Sequence, residues 1–277
     1  MGRTNYIQAP YRKKGIMKNL KKVMAVATAM VMSFSLVACG TDTAVETEET
    51  VSETEVAASG LAVDGLEFMS YEEYAEAELD TEVTVLCMVQ ATQSWWENKI
   101  TVYAQDYDGA YFIYNMACSE EDAANLVPGT TILVTGFKSE WSGEIEITDA
   151  TFEFVDYEGE VFDPVDLTEH FGDEEFLHDY QNEFFSMSGL TVEAIGDNGE
   201  AFLYSYDGSG SQGDDLYFKV SNGETSATFT VESYLTGADT DVYQAVEGLN
   251  VGDTIDVEGF LYWYEGVNPH ITSVTVR

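Results

Sequence analysis

From residue 82 onward, apolar and polar positions alternate mostly with a period of two. In TEVTVLCMV, Val83, Val85, Cys87 and Val89 fall on one face, as in a half-buried strand. KITVYAQDYDGAYFIYNM reads as two β-rich runs around Asp108-Gly109, a strong hairpin dipeptide. TTILVTGF and GEIEITDATFEFV give two more strands, with KSEWSG turning between them. The period becomes helical in two places. SYEEYAEAELD sets Tyr71, Tyr74 and Ala75 behind a Ser70 cap, and CSEEDAANLVPG sets acids in the first turn behind Ser119. The order then returns. FFSMSGLTVEAIG is a strand, and DLYFKVSNGETSATFTVES is two strands around Asn222-Gly223. TDVYQAVEGLNVG is a short helix, and DTIDVEGFLYWYEG with NPHITSVTV closes the series.

The recurrence is residue by residue. Gly129, Thr131, Ile132, Val134, Gly136, Phe137 and Gly143 match Gly252, Thr254, Ile255, Val257, Gly259, Phe260 and Gly266, each 123 positions on. Ile147 and Thr148 match Ile271 and Thr272 at 124. The hairpin glycines Gly109 and Gly223 are 114 apart, so the second copy carries extra residues between its third strand and its helix. A repeat this long is a duplicated domain rather than a solenoid unit. Five strands with a helix between the third and fourth is the order of an OB-fold. The fold class is therefore mainly β: two tandem OB-fold-like five-stranded Greek-key barrels, each with a short helix between strands 3 and 4. Gly136 and Gly259 fall where such a barrel bends its fourth strand.

The N-terminal part reads differently. MKNLKK from Met17 is a basic region, followed by the apolar VMAVATAMVMSFSLVA, and the run ends at LVACG. That is a secretory signal layout with Met17 as the expected start. Leu36-Val37-Ala38-Cys39 resembles the bacterial lipobox, which implies a lipid on Cys39 and a location on the extracytoplasmic face of the membrane. Residues 1–38 are then the signal peptide and 39–60 an acidic, disordered tether, TDTAVETEETVSETEVAASG in its greater part. The first OB-fold domain spans 61–156 with its leading helix, a linker with a short helix spans 157–183, and the second domain spans 184–277. Seven Lys and Arg precede Cys39; beyond it four cations face 51 acids, a formal −47 over 239 residues. Such a surface repels phosphate polymers and suits cations or basic partners.

LVPGTTILVTGFKSEWSGEIEIT and LNVGDTIDVEGFLYWYEGVNPHIT resemble the G-D-x-I-x-V-x-G phrase of secreted bacterial OB-fold domains. With the lipobox and the tandem copies, the chain resembles surface lipoproteins of Firmicutes. The resemblance implies the fold and is silent on activity.

An OB-fold binds across strands 2 and 3, between the loops joining strands 1 to 2 and 4 to 5. All four tryptophans fall in such loops: Trp95 and Trp96 in QSWWENK, Trp141 in SEWSG, Trp263 beside Tyr262 and Tyr264 in the second copy. Tyr103, Tyr111 and Tyr114 can line the face between. Flat rings stack on sugars or bases; they also plug barrel ends. Single-strand binders add a positive groove, so four cations argue against nucleic acid and for a neutral glycan or a surface protein. Asp207, Asp214 and Asp215 in YDGSGSQGDD offer oxygen ligands to calcium, without EF-hand spacing; no other cofactor is implied. Cys87 and Cys118 are free to pair outside the cytoplasm. Glu144 and Glu146 alternate along a strand and are expected to face solvent. His170, His178 and His270 form no nucleophile or zinc pattern. The expectation is a non-catalytic, lipid-anchored binding protein. An oligonucleotide-binding OB-fold protein and a structural spacer of the cell surface are the alternatives.

Overall fold

The computed structural model describes residue 63 and residues 65–277. The signal segment, Cys39 and the tether lie outside the described residues. Both barrels belong to one compact unit.

Helix α1 (Tyr71–Glu76) enters through a capping box in which Ser70 and Glu73 satisfy each other's backbone N–H. The first barrel follows: β1 (Glu82–Thr92), β2 (Lys99–Gln105), β3 (Ala110–Ala117), helix α2 (Glu120–Ala123), β4 (Thr130–Trp141) and β5 (Glu144–Glu158). The strands close in the order β1-β2-β3-β5-β4, antiparallel except where β3 meets β5. Val83, Val85, Cys87 and Val89 point inward, as their alternation requires, and meet Val102, Ile113, Ile132, Val134 and Ile147. Tyr74 of α1 packs edge-on against Tyr111 at 5.0 Å and plugs this core.

The chain then forms β6 (Val165–Asp166), helix α3 (Glu174–His178), β7 (Phe184–Glu193), β8 (Phe202–Tyr204), β9 (Leu216–Ser221), β10 (Ser226–Val231), helix α4 (Asp241–Glu247), β11 (Thr254–Phe260) and β12 (His270–Val276). Strands β7, β11, β12, β10 and β9 repeat the first barrel's order, and β7 pairs with β9 to close the ring. β8 is added outside β9, and β6 outside β7. The protein is thus two tandem OB-fold barrels. Residues before β7 that read as linker supply Leu167, Phe171 and Leu177 to the second core.

The repeated glycine has a geometric cause. Each sits at a register shift, between Thr135 and Phe137 in β4 and between Glu258 and Gly259 in β11. A Cβ on Gly136 would lie 2.7 Å from Ile147 Cγ2, and one on Gly259 would strike the His270 carbonyl and lie 2.9 Å from Ile271 Cα. The strands can bend and touch there only because no side chain intervenes.

The hairpins differ from the dipeptide reading. The equivalent turns begin at Asp106 and Asn222, 116 positions apart. In both, the first residue's N–H is bonded to the carbonyl three positions on. Its side-chain oxygen takes the N–H groups two and three residues on. Side chains therefore organise these turns, as Asx turns do. Gly109 matches Thr225, not Gly223, and it is glycine because a Cβ there would enter the Tyr71 ring.

Candidate ligand-binding groove between the barrels

The two copies of the aromatic phrase pack against each other. The β4–β5 turn of the first barrel meets the β11–β12 loop of the second. Glu265 N–H donates to the Ser142 carbonyl at 2.7 Å, and Trp263 N–H donates to Glu144 Oε2 at 2.9 Å. A Cβ on Gly143 would lie 2.8 Å from Trp263 Cδ1, and Trp141 faces Tyr264 at 5.1 Å between ring centroids. Gln181 ties down the same turn: its amide donates to the Gly143 carbonyl and its oxygen accepts from Ile145 N–H.

Below this seam the barrels share an aromatic contact. Tyr103 stacks on Phe260 at 4.5 Å, and Phe112 meets Tyr262 edge-on at 5.1 Å. The Tyr103 hydroxyl accepts from Gln93 Nε2 at 3.3 Å and shares a second hydrogen bond with His270 Nδ1, 2.6 Å away. Full burial keeps that imidazole neutral and pushes its pKa down to about 3.

This docking turns the binding faces of both barrels toward one groove of about 1090 Å³. The first barrel contributes Trp96 from its β1–β2 loop, Lys99, Thr101 and Tyr114 from β2 and β3, and Trp141 from its β4–β5 turn. The second contributes Tyr206 and Asp215 from the long β7–β9 connection, Tyr217 and Thr230 from β9 and β10, and Tyr264 and Asn268 from the β11–β12 loop. Glu232 and Tyr234 come from residues 232–240, the extra segment of the second copy between its third strand and its helix. That segment bonds across the seam, Ser94 N–H donating to the Tyr234 carbonyl at 2.7 Å.

The sequence-predicted aromatics divide. Trp96, Trp141 and Tyr264 line the groove and are 68%, 53% and 42% exposed. Trp95 is outside it, packed on the first core with its indole N–H on the Cys118 carbonyl. Tyr103 is fully buried, and Trp263 is 8% exposed in the second core; both join barrels rather than face a ligand. Tyr111 is likewise a core residue, its hydroxyl on Asp106 at 2.7 Å. Nothing in the sequence pattern singles out Tyr206, Tyr217, Tyr234 or Glu232, which also line the groove. Two of them, Glu232 and Tyr234, lie in the extra segment, whose added length was the only available signal.

Three further expectations are corrected. Glu144 and Glu146 do not face solvent: both are buried, because docking covers their edge of β5. Asp207, Asp214 and Asp215 do not converge. Asp207 accepts from Ser209 N–H, Asp214 from Ser211 N–H, and Asp215 from the Ser233 N–H and hydroxyl. Among the described residues no three His, Cys, Asp or Glu gather as a metal site. Cys87 and Cys118 are free buried thiols, Cys87 inside the first core and Cys118 donating to the Ser119 carbonyl. Burial raises the Cys118 thiol to about 11.

The groove's charge is mostly acidic, Asp215, Glu232 and Glu265 against Lys99. Burial and the neighbouring Asp215 push Glu232 up to about 7. The other three described cations are engaged structurally: Lys138 on the carbonyls of Tyr74, Ala75 and Ala77 at the end of α1, Lys219 with Glu193 at 3.2 Å, Arg277 with Asp256 at 2.8 Å.

No family model matches this chain, and no curated protein matches it. Solved structures do. The p204 HINb domain is 12% identical, with 73% of this chain and 100% of that one covered and a TM-score of 0.33. The Ifi202 HINa domain in complex with 20-bp dsDNA is 12% identical, covering 72% and 96%, at 0.30. A deletion mutant of the single-stranded DNA binding protein from Thermus aquaticus is 11% identical, covering 71% and 93%, at 0.23. Three of the matched chains were solved with double-stranded DNA, a finding that stands against the expectation that nucleic acid is no partner. At these identities the likeness is one of fold.

Proposed function

We propose that this chain is a non-catalytic binding protein that holds an oligosaccharide by ring stacking in the groove between its barrels, carried at the outer membrane face by a lipid on Cys39. One observation carries the reading: the strand 2–3 faces and loops of both barrels open into a single groove edged by exposed rings. Its volume lies just above the roughly 300–1,000 Å³ of small-ligand pockets, so it suits an oligomer rather than one sugar ring. Asp215, Glu232, Asn268 and the tyrosine hydroxyls supply hydrogen-bonding groups for sugar hydroxyls.

A second reading has its own support. The same rings stack on bases, and Lys99 stands at the groove. An oligonucleotide held there by stacking is the alternative that the DNA-bound matched domains bring forward.

The test is titration of intrinsic tryptophan fluorescence with neutral oligosaccharides and with single- and double-stranded oligonucleotides at low salt. Trp96→Ala with Trp141→Ala should weaken whichever ligand binds by about 1–3 kcal/mol per ring, roughly fivefold to over a hundredfold each. The same affinity in the double variant would refute the groove. Saturable binding of the oligonucleotide alone would replace the glycan reading with the second.

A further inference from the structure

Strand register places two acids of the groove. The β9–β10 ladder ends at the pair of Leu216 and Val231, and both of those side chains enter the second core. Side chains alternate across a strand. Tyr217 and Thr230, and beyond the last pair Asp215 and Glu232, therefore fall on the opposite face, and all four line the groove. Asp215 and Glu232 thus stand across from each other at the end of the hairpin. Ser233 closes the contact: its N–H and hydroxyl both donate to Asp215 Oδ1, at 2.8 and 2.6 Å. Glu232 Oε2 accepts from the Leu235 N–H at 2.8 Å. Like charges set opposite each other on a sheet are destabilising. No protein cation offsets this pair, since the ion pairs among the described residues are Lys219 with Glu193 and Arg277 with Asp256. Lys99 lines the first barrel's wall and pairs with neither acid.

We propose that the groove selects a cationic oligosaccharide, one whose sugar rings carry free primary amines, and that Asp215 and Glu232 receive an ammonium group between them. The inference rests on the oligosaccharide reading of the groove and adds the charge of its ligand. The site itself stands on its rings: Trp96, Tyr114, Trp141, Tyr206, Tyr234 and Tyr264 are all exposed and all line the groove. The rings take the sugar faces, and the acids decide which substituent those sugars carry. An ammonium has three N–H donors, and its bonds to carboxylates are roughly twice as strong as neutral ones. Aromatic faces attract it as well. Tyr217, on the same face as the acids, stands among Asp215, Glu232 and Tyr264. An ammonium bound there removes the like-charge cost of the facing pair. An N-acetylated amine is neutral and leaves that cost in place. Glu265 adds a third acid to the groove, and a formal net charge of −40 draws cations toward it. A lysine-rich peptide offers the same ammonium, but it has no flat sugar face to set against these rings.

The test compares two β-linked glucosamine oligomers of equal length, one with free amines and one fully N-acetylated, with an oligolysine peptide of matching charge as the third probe. Each is titrated by calorimetry at near-neutral pH and moderate salt. The native chain should bind the free-amine oligomer about tenfold or more tightly than the acetylated one. In Asp215→Asn with Glu232→Gln the ratio of the two affinities should fall to near one. Both replacements keep an oxygen to accept the Ser233 and Leu235 N–H groups, and losing the like-charge pair should leave Tm equal or higher. Should the double variant fail to fold, Glu232→Gln decides alone by the same ratio. A preference that persists in the variant would trace to the chain's general acidity, which two charges barely change, and would overturn the assignment to this pair. Equal binding of the two oligomers by the native chain would overturn amine selection and leave the oligosaccharide reading standing. Binding of neither oligomer would end both. Oligolysine bound as tightly as the free-amine oligomer would overturn the sugar part of the proposal.

Discussion

At the scale of single residues, the inter-barrel seam turns aromatic and polar side chains that read as ligand groups into fasteners. Tyr103 shows this. Its ring stacks on Phe260 and its hydroxyl links Gln93 to His270. Tyr103→Phe keeps the ring and leaves the buried His270 Nδ1 without its hydrogen-bond partner, which should cost about 1–3 kcal/mol. The urea midpoint should drop with little change in slope; an unchanged midpoint would remove the hydroxyl from the account. His270 also has a pH signature. Unfolded, it takes a proton near its ordinary value of 6.5; folded, it refuses one until about 3. Its folded pKa is depressed, so its contribution is complete above 6.5 and is lost as pH falls toward 3. His270→Gln should therefore lose less Tm than the native chain over that window. An identical acid slope in calorimetry would contradict the burial of a neutral ring.

Among elements, the decisive ones are β4 and β11, where a glycine sits at each bend. Gly259→Ala puts a methyl against the backbone of β12, an atom group that cannot swing aside. Overpacking of this kind costs about 1–3 kcal/mol, and at a strand junction it should also loosen the β11–β12 loop that carries Trp263 and Tyr264. A thermal shift within error of the native value would show that the bend tolerates a Cβ. The same substitution at Gly252, which has open space around it but a φ of +96°, should destabilise through backbone strain alone. Comparing the two separates steric contact from conformation.

For the whole molecule, charge and docking set the terms. The formal net charge is −40 over the full chain, and only two surface ion pairs are present among the described residues. Such pairs are worth about 0–1 kcal/mol each, so salt has little attraction to screen and much repulsion. Raising ionic strength from about 0.01 M to about 0.15 M shortens the screening length from roughly 30 Å to 8 Å. The Tm should rise over that range; a fall would mean that attractive pairs outweigh self-repulsion. The same docking that buries Glu144 and Glu146 also builds the groove, so a change at the seam and a change at the groove are coupled in this protein.

The amino-acid sequence by itself determined the barrels. Inward valines at every second position, the paired fourth-strand glycines and the Ser70 and Ser119 caps are local rules, and each acts within one or two strands. The chain placed Trp96, Trp141 and Tyr264 in loops that do meet at one site, because OB-fold loops lie at a fixed end of the barrel. What only the tertiary structure decided is which rings stay wet. Tyr103 and Trp263 look like Trp96 and Trp141 in composition and spacing, yet their burial depends on what lies across the seam, more than 100 residues away in the chain; Trp95 is taken up by its own barrel, its indole N–H on the Cys118 carbonyl. For the same reason the alternation of Glu144 and Glu146 pointed to solvent: periodicity reports which face of a strand leaves its own barrel, and it carries no information about a second barrel docked on that face.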